Sequence, residues 1–250
     1  YKIEPTIIDT DRRQSFMKAR IPMTFILMLL LSYIPTYGQA DAANTLDEAR
    51  LFKKLNQLNS QQMIVVTADQ QHSITGKLSL YTKQNGTWKR QLGPIPVVFG
   101  NKGLGKTKEG DGKTPLGTYT LGTAFGSTKE APAGLKVDYR TAGVHDYWVD
   151  APKSPDYNSW VSYEGDPKER WSSFERLNHP LYDQAIVINY NTNPVIAGKG
   201  SAIFMHIWRG SNKPTEGCIA MSREHLSQIL TMIDPELSPK IRIGVGAGIY

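Results

Sequence analysis

Asn85-Gly86 lies between two runs in which apolar and polar residues alternate, together spanning residues 77–92. Asn-Gly supplies the positive φ angles that a two-residue hairpin turn demands, so 77–92 predicts two antiparallel strands joined at that turn. Short strand-like runs recur at 63–67 (MIVVT), 95–100 (IPVVFG), 117–122 (GTYTLG), 185–190 (AIVINY), 202–207 (AIFMHI) and 240–245 (KIRIGV). Two stretches read as helix. In 44–60, Thr45 and Glu48 have capping-box spacing, and Leu51, Phe52, Leu55 and Leu58 recur at helical spacing. In 222–233, Ser222 can cap, Leu226, Ile229, Leu230 and Ile233 face inward, and Asp234-Pro235 ends the helix. No repeat, heptad or low-complexity tract interrupts this pattern. The expectation is a mainly β domain with one or two helices. Residues 123–183 read as a long aromatic, loop-rich insertion carrying Trp148, Trp160, Trp171, Tyr139, Tyr147, Tyr157 and Tyr163. Insertions of this length more often carry function than filler.

Charge excludes little but one class clearly. Of 29 basic and 23 acidic side chains, five and three lie in the first forty residues, which leaves the rest at +4. That is too mild and dispersed for nucleic acid. The N-terminal segment from Met17 has the layout of a secretory signal peptide. Lys18 and Arg20 form a basic start, 21–34 is almost wholly apolar, and Gly38-Gln39-Ala40 offers a cleavable site. The apolar run is short for a membrane span, although an uncleaved anchor is the alternative. The expected organisation is an extension at 1–16, a signal peptide at 17–40, a helix and linker at 41–61, and a catalytic domain at 62–250. No stable membrane span is expected after signal cleavage.

Export sharpens the meaning of Cys218, the one cysteine in the chain. Exported proteins that use cysteine structurally use it in pairs. A lone cysteine is either a small buried hydrophobe or a reactive thiol. His206 ends a predicted strand twelve positions earlier. The intervening loop contains Gly210, Ser211, Asn212 and Pro214, so it can turn back and bring the two together. A nearby imidazole can take the thiol proton or stand as a cation beside the sulfur. Gly217 allows close backbone approach and could aim amide N–H groups at a reacting oxygen.

Competing motifs are weaker. GDGKT (110–114) lacks the first glycine of a phosphate loop, Thr107 standing in its place, and a strand follows it. His72, His145, His179 and His225 have no metal-ligand spacing. Lys102, Lys106, Lys108 and Lys113 alternate with Glu109 and Asp111 and read as a solvated loop.

IFMHIWRGSNKPTEGCIAM (203–221) resembles the active-site motif of the L,D-transpeptidases, the YkuD-like catalytic domain. GDGKTPLGTYTL (110–121), WVDAPKSPDYN (148–158) and YNTNPVIAGKGSAIFMH (190–206) extend the resemblance over roughly 63–245. It implies a mixed β-sandwich or barrel with a short N-terminal helix and a helix after the cysteine. It also implies an exported enzyme of the periplasm or cell wall. Cys218 would be the nucleophile, His206 the acid–base and Gly217 the oxyanion-hole residue; Thr215, Glu216 and Arg209 are the candidate substrate contacts, Arg209 from its proximity in sequence alone. The implied substrates are peptidoglycan stem peptides, as donor and acceptor, with release of D-alanine and no cofactor or metal. Two positions depart from the family pattern. Glu216 stands where many members have histidine, and Ala220 where many have arginine. Arg209 could supply a cation near the site or be an ordinary solvated loop residue. Three other readings stay open: an L,D-carboxypeptidase, in which water replaces the acceptor; a wall-binding module with a dead site; and a thiol redox protein, which the absence of a resolving cysteine disfavours.

Overall fold

The computed structural model describes residues 47–128 and 130–249. The expected extension at 1–16, the signal segment at 17–40 and Thr45 of the capping box lie outside the described residues. The first helix, α1, is described over 47–55. Four strands follow: β1 (Gln62–Ala68), β2 (Thr75–Gln84), β3 (Thr87–Val98) and β4 (Gly117–Gly126). The insertion contributes β5 (Tyr139–Thr141), β6 (Asp146–Val149), β7 (Ser159–Ser162), the single-turn helix α2 (Pro167–Arg170) and β8 (Phe174–Arg176). The chain then returns through β9 (Ala185–Ile188), β10 (Phe204–Ile207), β11 (Ile219–Met221), α3 (Arg223–Met232) and β12 (Lys240–Val245).

Eight strands close into a barrel in the order β12-β1-β2-β3-β11-β10-β9-β4, with β4 pairing back onto β12. Most neighbours are antiparallel, whereas β1 with β12 and β10 with β11 run parallel. β5 adds in parallel to the far half of β4. The mixed, closed sheet with few helices is the fold class that the sequence predicted.

Strand burial explains which sequence runs alternate. β1 is continuously apolar from Met63 to Val66 because both of its faces are covered. Ile64, Val66 and Ala68 point into the barrel core, while Met63 and Val65 pack against Leu51 and Leu55 of α1. The hairpin at Asn85-Gly86 forms as expected, with both residues at positive φ. The predicted separation between 77–92 and 95–100 does not hold. β3 runs through Pro94 and Pro96, and its register against β2 slips between Leu78 and Leu80. Gly93 makes this possible, since at φ +97° a Cβ there would meet the Leu78 carbonyl oxygen at 2.4 Å.

α3 plugs one end of the barrel. Ser222 caps it, accepting from the His225 amide at 3.2 Å, and Leu226, Ile229 and Leu230 enter the core as the periodicity predicted. Buried Gln62 on β1 ties the far end of the helix to the barrel. Its amide nitrogen donates to Met232 O at 2.9 Å, and its oxygen accepts from Asp234 N at 2.9 Å.

The stretch 123–183 is more regular than expected. β6, β7 and β8 form a separate three-stranded sheet, ordered β7-β6-β8. Tyr147 and Trp171 centre a small core of their own, while Phe125, Trp148 and Tyr182 form a second cluster with Phe204 of β10. The second cluster lies on the outer face of β9 and β10, so the insertion caps one side of the barrel.

Gln62→Leu preserves volume but leaves a part-buried carbonyl and a part-buried amide without this partner. It should lower unfolding free energy by about 1–3 kcal/mol in chemical denaturation. An unchanged midpoint would mean that the two backbone groups find other partners.

Candidate active site

The site is built on strand parity. β10 and β11 run parallel with Met205 opposite Ile219, His206 opposite Ala220 and Ile207 opposite Met221. Met205, Ile219 and Met221 point into the barrel core. Alternation therefore sends Phe204, His206, Cys218 and Ala220 to the other face, where Phe204 and Cys218 join the aromatic cap. His206 and Cys218 are both nearly buried, at 5% and 7% exposure. Both line one cavity of about 400 Å³.

The Thr-Glu-Gly-Cys turn has a local logic. The Thr215 hydroxyl accepts from the Gly217 amide at 3.1 Å and donates to the Cys218 carbonyl at 2.7 Å. Thr215 is itself stitched to the end of β3: its amide donates to Phe99 O at 2.8 Å, and its carbonyl accepts from Asn101 N at 2.8 Å. Gly217 sits at φ +149°, where a Cβ would lie 2.9 Å from the Lys113 carbonyl oxygen. Only glycine fits that approach. Thr215 thus shapes the turn that carries the thiol, and the Gly217 amide is engaged within it.

The sulfur and the imidazole are both held in their neutral forms. The Cys218 thiol donates to Ala202 O at 3.2 Å, and the Phe204 amide donates to the sulfur at 3.4 Å. Burial pushes the thiol pKa far up and the Glu175 carboxylate adds to the effect, while the Phe204 amide and Lys106 oppose it. His206 Nδ1 lies 2.8 Å from the Ile207 carbonyl oxygen. A carbonyl can only accept, so Nδ1 carries the hydrogen and Nε2 keeps its lone pair. Burial lowers the His206 pKa to about 4, with Arg209 and His179 acting in the same direction. The Tyr182 ring packs edge-on against the imidazole at 5.2 Å.

Charged groups of both signs line the cavity: Glu109, Asp150, Glu175 and Glu216, with Lys106, Arg209 and Lys213. Lys106 corrects the sequence reading of a solvated lysine cluster. It is 8% exposed, and its ammonium bonds Asp111 Oδ1 at 3.0 Å. Burial alone would raise the Asp111 pKa. Amide hydrogen bonds from Thr107, Lys108 and Lys113, together with Lys106, bring it below the usual carboxylate range. The GDGKT segment is therefore an anchored turn beside the site. Glu175, which no sequence motif singles out, accepts from the Tyr182 hydroxyl, and burial raises its pKa. Burial also raises the pKa of Asp150, whose Oδ1 is buried without a partner.

The remaining candidates lie at the rim. Glu216 is exposed, and both of its oxygens accept from Asn101 Nδ2 at 3.0 Å. Arg209 is exposed and donates to Pro214 O at 2.8 Å, which braces the loop between His206 and Cys218. Ala220 is fully buried beside His206, leaving no room for a longer side chain without repacking. Among the described residues, no group of three or more His, Cys, Asp or Glu side chains is disposed to share a metal ion. Among the same residues, no helix is long and apolar enough to cross a membrane.

Of the comparisons with known proteins, the family match agrees with the motif reading. A crystal structure of the helical cell shape determining protein Pgp2 from Campylobacter jejuni aligns at 16% identity, with a TM-score of 0.37. The alignment covers 74% of this chain and 48% of that one, so the chain spans about half the length of that protein. A likeness at this level carries no argument about activity. No curated protein matches. The family model for the L,D-transpeptidase catalytic domain, YkuD, matches residues 60–243, well over half of the chain, and the protein therefore belongs to that family.

Proposed function

We propose that the protein is an exported cysteine acyltransferase that forms L,D cross-links between peptidoglycan stem peptides. Membership of a peptidoglycan-acting family supports the substrate class. The single observation that carries the chemistry is the placement of Cys218 and His206. They share one face of two adjacent parallel strands and open into one cavity, with His206 Nε2 unprotonated.

In this reading His206 Nε2 takes the thiol proton as the Cys218 sulfur attacks the carbonyl of the third stem residue. The oxyanion falls to the Cys218 amide, because the Gly217 amide is occupied by Thr215. The tetrahedral intermediate collapses, and the imidazolium returns its proton to the departing D-alanine amine. An amine from a second stem then attacks the thioester. It loses its proton to His206, and the thiol is regenerated. Carboxylates and cations in one cavity suit a zwitterionic diamino acid substrate. Segment 17–40 would direct export, placing the enzyme in the periplasm or cell wall. The L,D-carboxypeptidase alternative uses the same acyl-enzyme and differs only in the acceptor, water.

Cys218→Ala should abolish D-alanine release from a tetrapeptide donor while leaving a cooperative fold, as read by chromatography of the products and thermal melting. Turnover like that of the wild type would remove Cys218 from the mechanism. Because thiol and imidazole are neutral together, the acylation rate should hold as pH falls and drop only near pH 4, as Nε2 becomes protonated. A loss centred near 6.5 would instead indicate a solvated histidine. His206→Ala should slow acylation by about 10² or more. Glu216 lies at the rim, where an acidic group favours a cationic acceptor over water. Glu216→Gln should therefore preserve acylation and shift products from cross-linked dimer toward hydrolysed tripeptide. An unchanged product ratio by mass spectrometry would leave Glu216 without a role in acceptor choice.

A further inference from the structure

The carbonyl that receives the thiol hydrogen belongs to a strained residue. Ala202 lies just before β10 at φ +53°, a left-handed conformation that is uncommon for any residue with a Cβ. Such strain persists only where the surroundings impose it. Two features impose it here. The Ala202 side chain is buried in the aromatic cluster with Phe204 and Cys218. Its amide donates to Asn158 Oδ1 at 3.2 Å.

Asn158 belongs to the insertion, between β6 and β7, and is buried. Its side chain is saturated. Nδ2 donates to Tyr190 O at 3.2 Å and Asn191 O at 2.7 Å, while Oδ1 accepts from Trp148 Nε1 at 2.9 Å as well as from Ala202. Donors meet only acceptors, so the orientation of the amide is fixed. Its own amide donates to Val149 O at 2.7 Å, which anchors it to the capping sheet. One side chain thus joins the cap, the segment leading to β10 and the residue that holds the sulfur.

We propose that Asn158 is a positioning residue for Cys218: by fixing the Ala202 amide it turns the Ala202 carbonyl onto the sulfur and keeps it a hydrogen-bonded, protonated thiol until substrate enters. The consequence is protection. A lone thiol in an oxidising compartment is exposed to oxidation and stray disulfide formation, and both proceed through the thiolate. A carbonyl facing the sulfur accepts a hydrogen from the thiol and repels the thiolate, so it disfavours the reactive form. Substrate binding then has to redirect that hydrogen toward His206 Nε2. The other groups that act on the sulfur are the Phe204 amide, Glu175 from β8, Lys106 from the loop before β4 and Tyr182 from the turn before β9, and His206 from β10 lines the same cavity. The proposal leaves all five untouched.

The inference rests on Cys218 as the reactive thiol of the proposed mechanism, but its test uses no turnover, so the two can fail separately. The chain has one cysteine, so its S–H stretching band in the infrared is assignable without labelling. In the wild type that band should lie at the lowered frequency of a hydrogen-bonded thiol; a band at the free-thiol position would overturn the proposal. Iodoacetamide alkylation at pH 7 gives the second readout. Asn158→Ala should raise the rate about tenfold and move the S–H band toward the free-thiol position. Trp148→Phe removes a different hydrogen bond from the same Oδ1 and leaves Ala202 held, so its rate and band should stay at the wild-type values. An unmoved band in Asn158→Ala, or equal changes in both variants, would reduce Asn158 to ordinary packing. If Asn158→Ala does not fold, Asn158→Ser takes its place under the same criteria, and the wild-type band remains a test by itself.

Discussion

The parallel register between β10 and β11 is the constraint on which the site depends. With His206 opposite Ala220, strand alternation leaves His206 and Cys218 on the outer face while Met205, Ile219 and Met221 fill the barrel. A slip of one residue would turn the thiol into the core and one of those apolar side chains out to the cavity. The register is held from several sides. β9 pairs with the other edge of β10, and Thr215 is hydrogen-bonded to the end of β3 on both its amide and its carbonyl. α3 follows β11 directly and locks it by plugging the barrel end.

An outer face of a barrel is ordinarily wet, and here it is not. The aromatic insertion covers β9 and β10, so the sulfur and imidazole sit in a low-dielectric pocket. Desolvation acts on them in opposite senses, pushing the thiol up and the histidine down, and the common result is two neutral partners. A thiolate–imidazolium pair would need two charges to be stabilised in that pocket before any substrate arrived. In the proposed reaction, neutral partners need only one proton transfer, made as the sulfur attacks. The cap thus governs both the shape of the cavity and the protonation state in which the site waits.

Around this apolar centre the charges are held in fixed places. Lys106 and Asp111 form a buried pair whose carboxylate also collects three backbone amides, and the pair secures the turn beside Gly217. Glu216 and Arg209, the two charged candidates around the cysteine motif, are held at the rim by Asn101 and Pro214 respectively and do not pair with each other. Glu175 and Asp150 lie deeper, where burial raises both carboxyl pKa values.

Local chemistry determined much of this protein without reference to the rest of the chain. Asn-Gly dictates its hairpin, Ser222 and the spacing of Leu226, Ile229 and Leu230 dictate α3, and the Thr-x-Gly-Cys run dictates a tight turn that presents the sole cysteine. Those signals are legible because each depends on residues within a turn or two of one another. Barrel closure, the pairing of β10 with β11, the sheet inside 123–183 and the burial of Lys106 were decided only in three dimensions. So was the gathering of Tyr182, Glu175 and Asn158 around the thiol. Each depends on partners tens of residues away, and hydrophobic patterning specifies that a face is buried without specifying what buries it. The protonation states of Cys218 and His206 belong to the same category, because desolvation is a property of the assembled pocket and no residue carries it alone.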